Sequence, residues 1–330
     1  MHKTLKRAVT LIFLGICSIG PTSLLASAAD PLPSWQDTQT KAAITAFVQA
    51  VIDPDNPRFV PQDQRIATLD NDGTLWTEKP LYIHVLANFE RMKEQMQQNP
   101  SLKKQQPYTA IASKKLDYFK ALYENQGLDS LVGQLMAVPY GGMTTNDYAN
   151  WIRNWAKDWQ HPKFKRPLNQ LTYAPMRELI TYLKDNQFQV YIFTADEGDF
   201  LKLFSQELYG IPPQNVFGSS VHRDFTMREE GTAITRAYRI QYINNWSAKA
   251  RLINATFGHA PTLAAGNSNG DLQMLQYTSA NGGLSLLVHH TDDKRETAYD
   301  SHTDKVMTNA QKHGWTVIDM VQDWRSVFSK

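Results

Sequence analysis

The sequence predicts an α/β fold in which helices cover both faces of a parallel β-sheet and a helical insert follows the first strand. Apolar runs typical of buried strands occur at 65–70, 189–194, 261–266 and 284–289. The later runs alternate with helical patterns at 174–186, 199–209 and 247–256. This alternation favours parallel strands, because each crossover helix returns the chain to the same edge of the sheet.

The first 28 residues have the features of a secretory signal peptide. Lys3, Lys6 and Arg7 form a basic start, and an apolar stretch covers residues 8–19. The small residues at 26–28 then provide a cleavage site. We therefore expect export across the inner membrane, to the periplasm, and removal of this segment.

Two alternatives concern the same segment. The apolar stretch could be retained as a membrane anchor, although it is short for a transmembrane helix. Cys17 could mark a lipoprotein, but Ile16 is bulkier than the residue that usually precedes a lipid-attachment site. We favour cleavage before Ala29, which leaves a chain without stable membrane association.

Composition excludes several classes of function. The full chain carries 34 Lys and Arg against 32 Asp and Glu. Removing the three basic residues of the signal segment leaves 31 against 32, a formal charge of −1. This balance, without a basic tract, argues against a nucleic-acid partner. The single cysteine, Cys17, is lost with the signal segment, so the mature chain forms no disulfide. The sequence leaves the oligomeric state open.

The predicted elements follow in chain order. Residues 29–64 form an N-terminal helical lead-in, whose helix over 35–52 ends at the Pro-rich stretch 53–57. The core comprises 65–80 and 172–330, and the cap insert comprises 81–171.

Within the cap, the pattern predicts helices over 82–98, 111–125, 128–138 and 146–159. Trp151, Trp155 and Trp159 recur every four residues in the last of these, which predicts a packing face rather than a ligand site. In the second part of the core, 216–224 and 233–238 are predicted to form a hairpin around 229–232.

The first candidate motif is an apolar strand that runs directly into Asp70. Asp72 lies two residues on, Gly73 supplies a turn and Thr74 supplies a hydroxyl. Chemistry in open α/β sheets gathers at the carboxyl ends of the strands. Asp70 at such an end could act as a nucleophile, and Asp72 as the general acid and base.

Two further positions suit phosphate chemistry. Thr194 ends the strand over 189–194, and we expect free backbone N–H groups at Ala195 and Asp196 to help bind a phosphate. Lys249 lies just inside a helix that Ser247 is predicted to cap. Its ammonium would offset negative charge in the transition state.

The last motif is a loop of small and polar residues, Gly266-Asn267-Ser268-Asn269-Gly270-Asp271. Mg²⁺ prefers hard oxygen ligands, one or two of them carboxylates. Asp70, the backbone carbonyl of Asp72, and Asp271 would fit such a site, with Asn267 as a further candidate that contributes an amide oxygen.

These four motifs, in this order, resemble those of the haloacid dehalogenase superfamily. The closer resemblance is to its phosphoserine phosphatase-like branch of secreted acid phosphatases. It implies a Rossmann-like core with an inserted helical cap, Mg²⁺ as cofactor and a small phosphorylated substrate. It also implies that Asp70 attacks phosphorus, Asp72 is the acid and base, and Thr194, Ala195 and Lys249 bind the phosphate. Asn267 departs from the family, whose phosphoserine phosphatase-like members usually have Asp there.

Two residues beyond the first motif are candidates for substrate contact. Trp76 and Glu78 lie where the chain leaves the core for the cap. Glu78 resembles the glutamate that contacts the substrate amine in phosphoserine phosphatases, although its spacing differs slightly.

The function predicted from the sequence is that of a phosphomonoester hydrolase. The alternatives are a haloacid dehalogenase, which would generally lack the second Asp and Mg²⁺, and a phosphomutase, which the signal segment disfavours. A non-enzymatic alternative is a protein that binds phosphorylated ligands without cleaving them, and Asn267 is the residue that favours it.

Overall fold

The computed structural model describes residues 30–114, 131–228 and 231–329. The predicted signal peptide lies outside the described residues, as do parts of the predicted helices over 111–125 and 128–138 and the centre of the predicted hairpin turn. These expectations stay predictions.

The strands of the described residues form one sheet, in the order β4-β3-β2-β1-β5-β6-β7. The strands are β1 (Ile66–Leu69), β2 (Gln189–Glu197), β3 (Val216–Arg228), β4 (Gly231–Tyr242), β5 (Leu263–Gly266), β6 (Leu284–His289) and β7 (Thr316–Asp319). All neighbours are parallel except β3 and β4, which pair antiparallel. The predicted α/β class with a mainly parallel sheet is therefore confirmed.

Helices connect these strands. They are α1 (Gln39–Ile52), α2 (Ile83–Gln98), α3 (Tyr108–Ala112), α4 (Leu131–Ala137), α5 (Thr145–Asp158), α6 (Ala174–Asp185), α7 (Gly198–Lys202), α8 (Ser205–Tyr209), α9 (Ser247–Phe257), α10 (Leu272–Ala280), α11 (Asp304–His313) and α12 (Met320–Asp323). Single 3-10 turns occur at Gln62–Gln64, Pro100–Lys104, Val138–Tyr140, Leu168–Gln170, Pro213–Asn215 and Asn269–Asp271.

Three local predictions are wrong in detail. The helix predicted over 199–209 is divided into α7 and α8. Ser247 is the first residue of α9 and does not cap it, because Trp246 takes the N-cap position and provides no side-chain hydrogen bond. Both hairpin strands are longer than predicted, and the sequence reading missed α11 and β7.

The N-terminal lead-in, with both Trp35 and helix α1, belongs to the same core as the sheet. Trp35 and Trp324 are both fully buried, and their ring centroids are 6.3 Å apart in an edge-to-face arrangement. The indole of Trp35 donates to the backbone oxygen of Pro175 at 2.9 Å, so α6 is held by the same residue. Burial of large aromatic side chains is among the strongest apolar contributions to stability.

The tryptophans of α5 pack, as predicted. Trp155 lies 4.9 Å from Trp159 and 6.3 Å from Phe200, measured between ring centroids. Trp151 donates its indole N–H to Glu94 of α2 at 3.0 Å. These contacts join α5 to α2 and to α7.

A buried arginine connects the hairpin, the end of β2 and α5. Arg236 of β4 is 1% exposed and forms ion pairs with Glu197, and with Asp199 at 3.0 Å. Its guanidinium lies 3.9 Å from the ring centroid of Tyr148, whose hydroxyl donates to Glu197 at 3.1 Å. Burial raises the pKa of Glu197, and the neighbouring guanidinium opposes that rise. One side chain therefore satisfies two acidic groups and an aromatic face.

In the three described ranges, no helix is both long enough and apolar enough to cross a membrane.

We predict that Arg236→Met lowers the free energy of unfolding by about 3–5 kcal/mol, because it leaves the buried carboxylate of Glu197 without its counter-charge. Chemical denaturation measures this loss. Arg239→Met, which removes an exposed arginine from the same strand, is the matched control and should change the free energy by less than about 0.5 kcal/mol. Equal losses in the two variants would contradict the importance of the buried ion pairs.

Candidate active site

A cavity of about 520 Å³ opens at the carboxyl edge of the sheet. Its lining includes Asp70, Asp72, Thr194, Ala195 and Lys249 from three of the sequence motifs, and Glu78 beyond the first motif. They meet there because β1 pairs with both β2 and β5, so the ends of these strands lie side by side. This is the edge at which ligands bind in open α/β sheets.

The ammonium of Lys249 connects two carboxylates at this edge. Its Nζ donates to Asp70 Oδ1 and to Asp271 Oδ1, each at 2.6 Å. Lys249 is 1% exposed and Asp271 is fully buried. Charge-assisted hydrogen bonds of this length are strong, and a buried ammonium requires such partners.

The other oxygen of Asp271 holds the loop that follows β5. Asp271 Oδ2 accepts hydrogen bonds from the backbone N–H groups of Asn267 at 3.0 Å and Ser268 at 3.1 Å. A Cβ atom on Gly266 would lie 2.4 Å from the Cβ of Asp271, so a glycine is required for this close approach.

Burial and neighbouring charges both shift the pKa values of Asp70 and Lys249. Burial raises the pKa of Asp70 well above its usual value, the carboxylate of Asp271 adds to the rise, and Lys249 opposes it. Burial acts to lower the pKa of Lys249, but Asp271 and Asp70 outweigh it and raise that pKa. Lys249 is therefore held in its charged form beside the carboxylate of Asp70.

A tight turn places the second carboxylate of the first motif. The backbone oxygen of Asn71 accepts from the N–H groups of Thr74 and Leu75, at 3.1 and 2.7 Å. Gly73 has φ +71°, and a Cβ there would lie 2.1 Å from the amide nitrogen of Asn267. His290 Nε2 lies 2.7 Å from the backbone oxygen of Gly73. Glycine is therefore required at 73 for both its conformation and its space.

The prediction that Trp76 contacts the substrate is wrong. Trp76 is fully buried and does not line the cavity. Its indole N–H donates to Asp72 Oδ1 at 2.8 Å. Trp76 therefore orients the candidate acid and base. Glu78 does line the cavity, as expected of a substrate contact, and its carboxylate lies 3.1 Å from Lys79 Nζ.

Asp196, which the sequence placed at the site through its backbone N–H, and His84, which the sequence did not indicate, line the cavity around Asp72. Asp196 and His84 are both nearly fully buried, and His84 Nδ1 lies 2.5 Å from Asp196 Oδ1. Burial raises the pKa of Asp72 well above its usual value, and the carboxylate of Asp196 adds to the rise. Burial also lowers the pKa of His84 to about 4. No local sequence pattern relates His84 to Asp196, since the two are distant in the chain.

The end of β2, which was predicted to bind phosphate, differs from the prediction in its backbone. Thr194 and Ala195 line the cavity, but β2 continues to Glu197. The expectation of a free N–H at Asp196 is wrong, because that group donates to Thr194 Oγ1 at 3.0 Å. The threonine hydroxyl accepts this hydrogen bond and so also fixes the backbone of the strand end.

The residues predicted for the metal site offer oxygen donors of the kind that Mg²⁺ binds. Asp70 offers a carboxylate and Asp72 a backbone carbonyl, while Asn267 offers an amide oxygen that accepts from Thr74 Oγ1 at 3.2 Å. Within the described ranges, no group of three or more His, Cys, Asp or Glu is arranged to hold a metal ion. Mg²⁺ does not require such a group, because it binds through one or two carboxylates and keeps several waters.

Asp271 was also predicted as a metal ligand. Both of its oxygens already accept hydrogen bonds, one from Lys249 and the other from the loop backbone. A metal contact would replace one of these bonds. Its role as a ligand stays a prediction, and its contact with Lys249 is observed.

Comparisons with known proteins found similarity in three-dimensional structure. No protein-family model matches the chain, and no curated protein matches it. A conserved protein of unknown function from Anaerococcus prevotii DSM 20548 superposes with a TM-score of 0.53 at 16% identity, over 83% of this chain and 90% of that chain. A protein of unknown function from Bordetella pertussis Tohama I gives 0.51 at 14% identity, over 78% and 99%. A HAD family hydrolase from Salmonella enterica serovar Typhi gives 0.40 at 13% identity, over 74% and 68%.

At these identities the likeness concerns the fold. The parallel strands β2, β1 and β5 and the meeting of Asp70, Thr194 and Lys249 at their carboxyl ends agree with the resemblance found in the sequence. Placement in the secreted acid phosphatase branch stays a prediction. The chain therefore shares its mixed α/β fold with the two proteins of unknown function, and the resemblance to the haloacid dehalogenase superfamily rests on the sequence motifs.

Proposed function

We propose that this chain is a periplasmic, Mg²⁺-dependent phosphomonoester hydrolase that forms a covalent aspartyl phosphate on Asp70. The observation that carries the proposal is the pair of 2.6 Å hydrogen bonds from buried Lys249 to Asp70 and Asp271, at the wall of a cavity large enough for a small ester. The basic and apolar N-terminal segment supports export.

The first half of the reaction forms the covalent intermediate. An oxygen of the Asp70 carboxylate attacks phosphorus, and the bond from phosphorus to the ester oxygen breaks. The leaving alcohol takes a proton from the carboxyl group of Asp72. The raised pKa of Asp72, caused by burial and by Asp196, favours the protonated form that this step needs.

The second half releases phosphate. Asp72, now a carboxylate, accepts a proton from water, and the water oxygen attacks phosphorus. The bond from phosphorus to Asp70 then breaks, which restores the carboxylate and yields inorganic phosphate. Lys249 stays charged throughout and offsets the negative charge that builds at phosphorus.

Asp70, the backbone carbonyl of Asp72 and the amide of Asn267 are the donors we assign to Mg²⁺. When bound, the ion supplies positive charge that neutralises the phosphate oxygens. Thr194 and Ala195 line the same cavity and are the residues we assign to phosphate binding together with Lys249.

A second candidate function is binding of a phosphorylated ligand without turnover. Asn267 favours it, because an amide in place of a carboxylate leaves the metal site with one negative charge fewer. A dehalogenase is disfavoured by the placement of Asp72 in the cavity, where the second carboxylate is available as an acid and base.

We predict that Asp70→Asn lowers kcat for 4-nitrophenyl phosphate by at least about a thousandfold, because the amide cannot act as the nucleophile. Release of 4-nitrophenol measures the rate. Asp63→Asn, which changes an exposed carboxylate, is the control and should retain full activity. Full activity of Asp70→Asn would rule out the mechanism.

Removal of divalent metal is expected to abolish hydrolysis. EDTA should reduce the rate to background, and added Mg²⁺ should restore it, because the phosphate charge is then neutralised again. The assay is phosphate release in the same buffer before chelation, after it, and after Mg²⁺ is returned. An undiminished rate in EDTA would show that the enzyme does not depend on metal.

We predict that Trp76→Phe lowers kcat about tenfold for an alkyl phosphate such as glycerol 2-phosphate, because Asp72 loses the hydrogen bond that orients it. The decrease for 4-nitrophenyl phosphate should be smaller than threefold, since 4-nitrophenolate leaves without a proton. Steady-state kinetics on both substrates test this difference. Equal losses on the two substrates would indicate a purely structural role for Trp76.

A further inference from the structure

Trp246 is an exposed aromatic side chain in the wall of the cavity. It is 41% exposed, and it lines the cavity together with Lys249. The other large apolar side chains with comparable exposure in the described ranges, such as Phe225 and Tyr238, lie outside that lining. A large ring kept in contact with solvent at a ligand cavity offers a planar surface for binding.

The backbone of Trp246 is strained and firmly held. Its φ is +57° and its ψ is −128°, a conformation that residues with a side chain rarely adopt. Its N–H donates to the backbone oxygen of Gly270 at 3.0 Å and lies 2.9 Å from Asn245 Oδ1. The position of the ring is therefore tied to the loop that carries Asp271. Strain of this kind persists where surrounding contacts enforce it and is concentrated at functional sites.

The backbone of Trp246 lies close to that of Lys249, one of the residues assigned to phosphate binding. The backbone N–H of Lys249 donates to the backbone oxygen of Trp246 at 3.0 Å, so the two residues are separated by one turn at the start of α9. One helical turn is about 5 Å long. A sugar or a short linker between phosphate and ring can span that separation.

Gln273 contributes a hydrogen-bonding group to the same cavity. It lies at the start of α10 and lines the cavity beside Leu272. Its Oε1 is buried and has no hydrogen-bond partner within the described part of the chain. A buried amide oxygen without a partner costs free energy, and a ligand that donates a hydrogen bond would remove that cost.

From this placement we propose that Trp246 and Gln273 form a subsite for a planar heteroaromatic ring in the leaving group of the substrate. The indole stacks on the ring, and Gln273 Oε1 accepts a hydrogen bond from an amino group at its edge. The substrate class with this chemistry is the nucleoside monophosphates. The inference rests on the proposed phosphatase function and adds the choice of substrate to it.

The test compares kcat/KM for three esters, measured by phosphate release from the wild-type protein and its variants. Cytidine 5′-monophosphate has a planar ring with an amino group, 4-nitrophenyl phosphate has a planar ring without one, and glycerol 2-phosphate has no ring. We expect the wild-type protein to prefer the cytidine ester to the glycerol ester by at least about tenfold, which corresponds to about 1.4 kcal/mol and is within the range of a single stacking contact.

The variants separate the two contacts. Trp246→Ala should lower the ratio of kcat/KM for the cytidine ester over the glycerol ester about tenfold, and Trp246→Phe should retain most of that ratio because it keeps a ring. Gln273→Met should lower the ratio of the cytidine ester over the 4-nitrophenyl ester about tenfold. Phe225→Ala, 64% exposed in the wild-type protein and outside the cavity lining, is the control and should change neither ratio.

Other outcomes overturn one proposal or the other. If Trp246→Ala lowers kcat/KM for all three esters alike, or for none, the stacking role is wrong. If the wild-type protein releases no phosphate from any of them, the proposed phosphatase function is wrong. Calorimetric titration with cytidine 5′-monophosphate then still tests the subsite, since binding must weaken about tenfold in Trp246→Ala. Equal binding by both proteins would overturn the subsite itself.

Discussion

The site depends on the hydrogen bonds that Lys249 makes to Asp70 and Asp271. Three segments distant in the sequence meet at this ammonium: the end of β1, the start of α9 and the loop after β5. None of the three charges is stable alone in a buried place, so each requires the other two. The same contact that satisfies burial also places a cation beside the candidate nucleophile. Stable burial of these charges and placement of a cation beside the nucleophile therefore require the same arrangement of the three segments.

The remaining contacts around the cavity restrict motion of the acid and base. Trp76 holds one oxygen of Asp72, and the glycine turn at 73 is fixed against Asn267 and His290. Farther out, Arg236 connects β4 to α5 through Glu197 and Tyr148. These buried polar contacts give the edge of the sheet a defined geometry, which catalysis by positioned groups requires. Rigid support also explains how Trp246 can keep a strained backbone while its ring remains exposed.

Much of the fold could be predicted because its signals are local. The strand before Asp70 and the alternation of later strands and helices follow from apolar periodicity. The resemblance of the motifs to one superfamily supported the same fold. Contacts between distant residues gave no such signal. His84 and Asp196 meet through the packing of α2 against the end of β2, and neither residue lies in a pattern that predicts the other. Trp76 was expected to contact substrate, and only the three-dimensional turn shows that its indole reaches back to Asp72. The break between α7 and α8 was missed because residues 199–209 contain neither Gly nor Pro, the usual local signals of a helix end.

The central claim is that Asp70 carries the phosphoryl group during turnover. The most direct measurement is to quench the enzyme with acid during hydrolysis, reduce the acyl phosphate with borohydride and map the labelled peptide by mass spectrometry. The mechanism predicts that residue 70 is converted to homoserine, and that this product is absent without substrate. Conversion at another residue, or no conversion while phosphate is still being released, would contradict the covalent mechanism at Asp70.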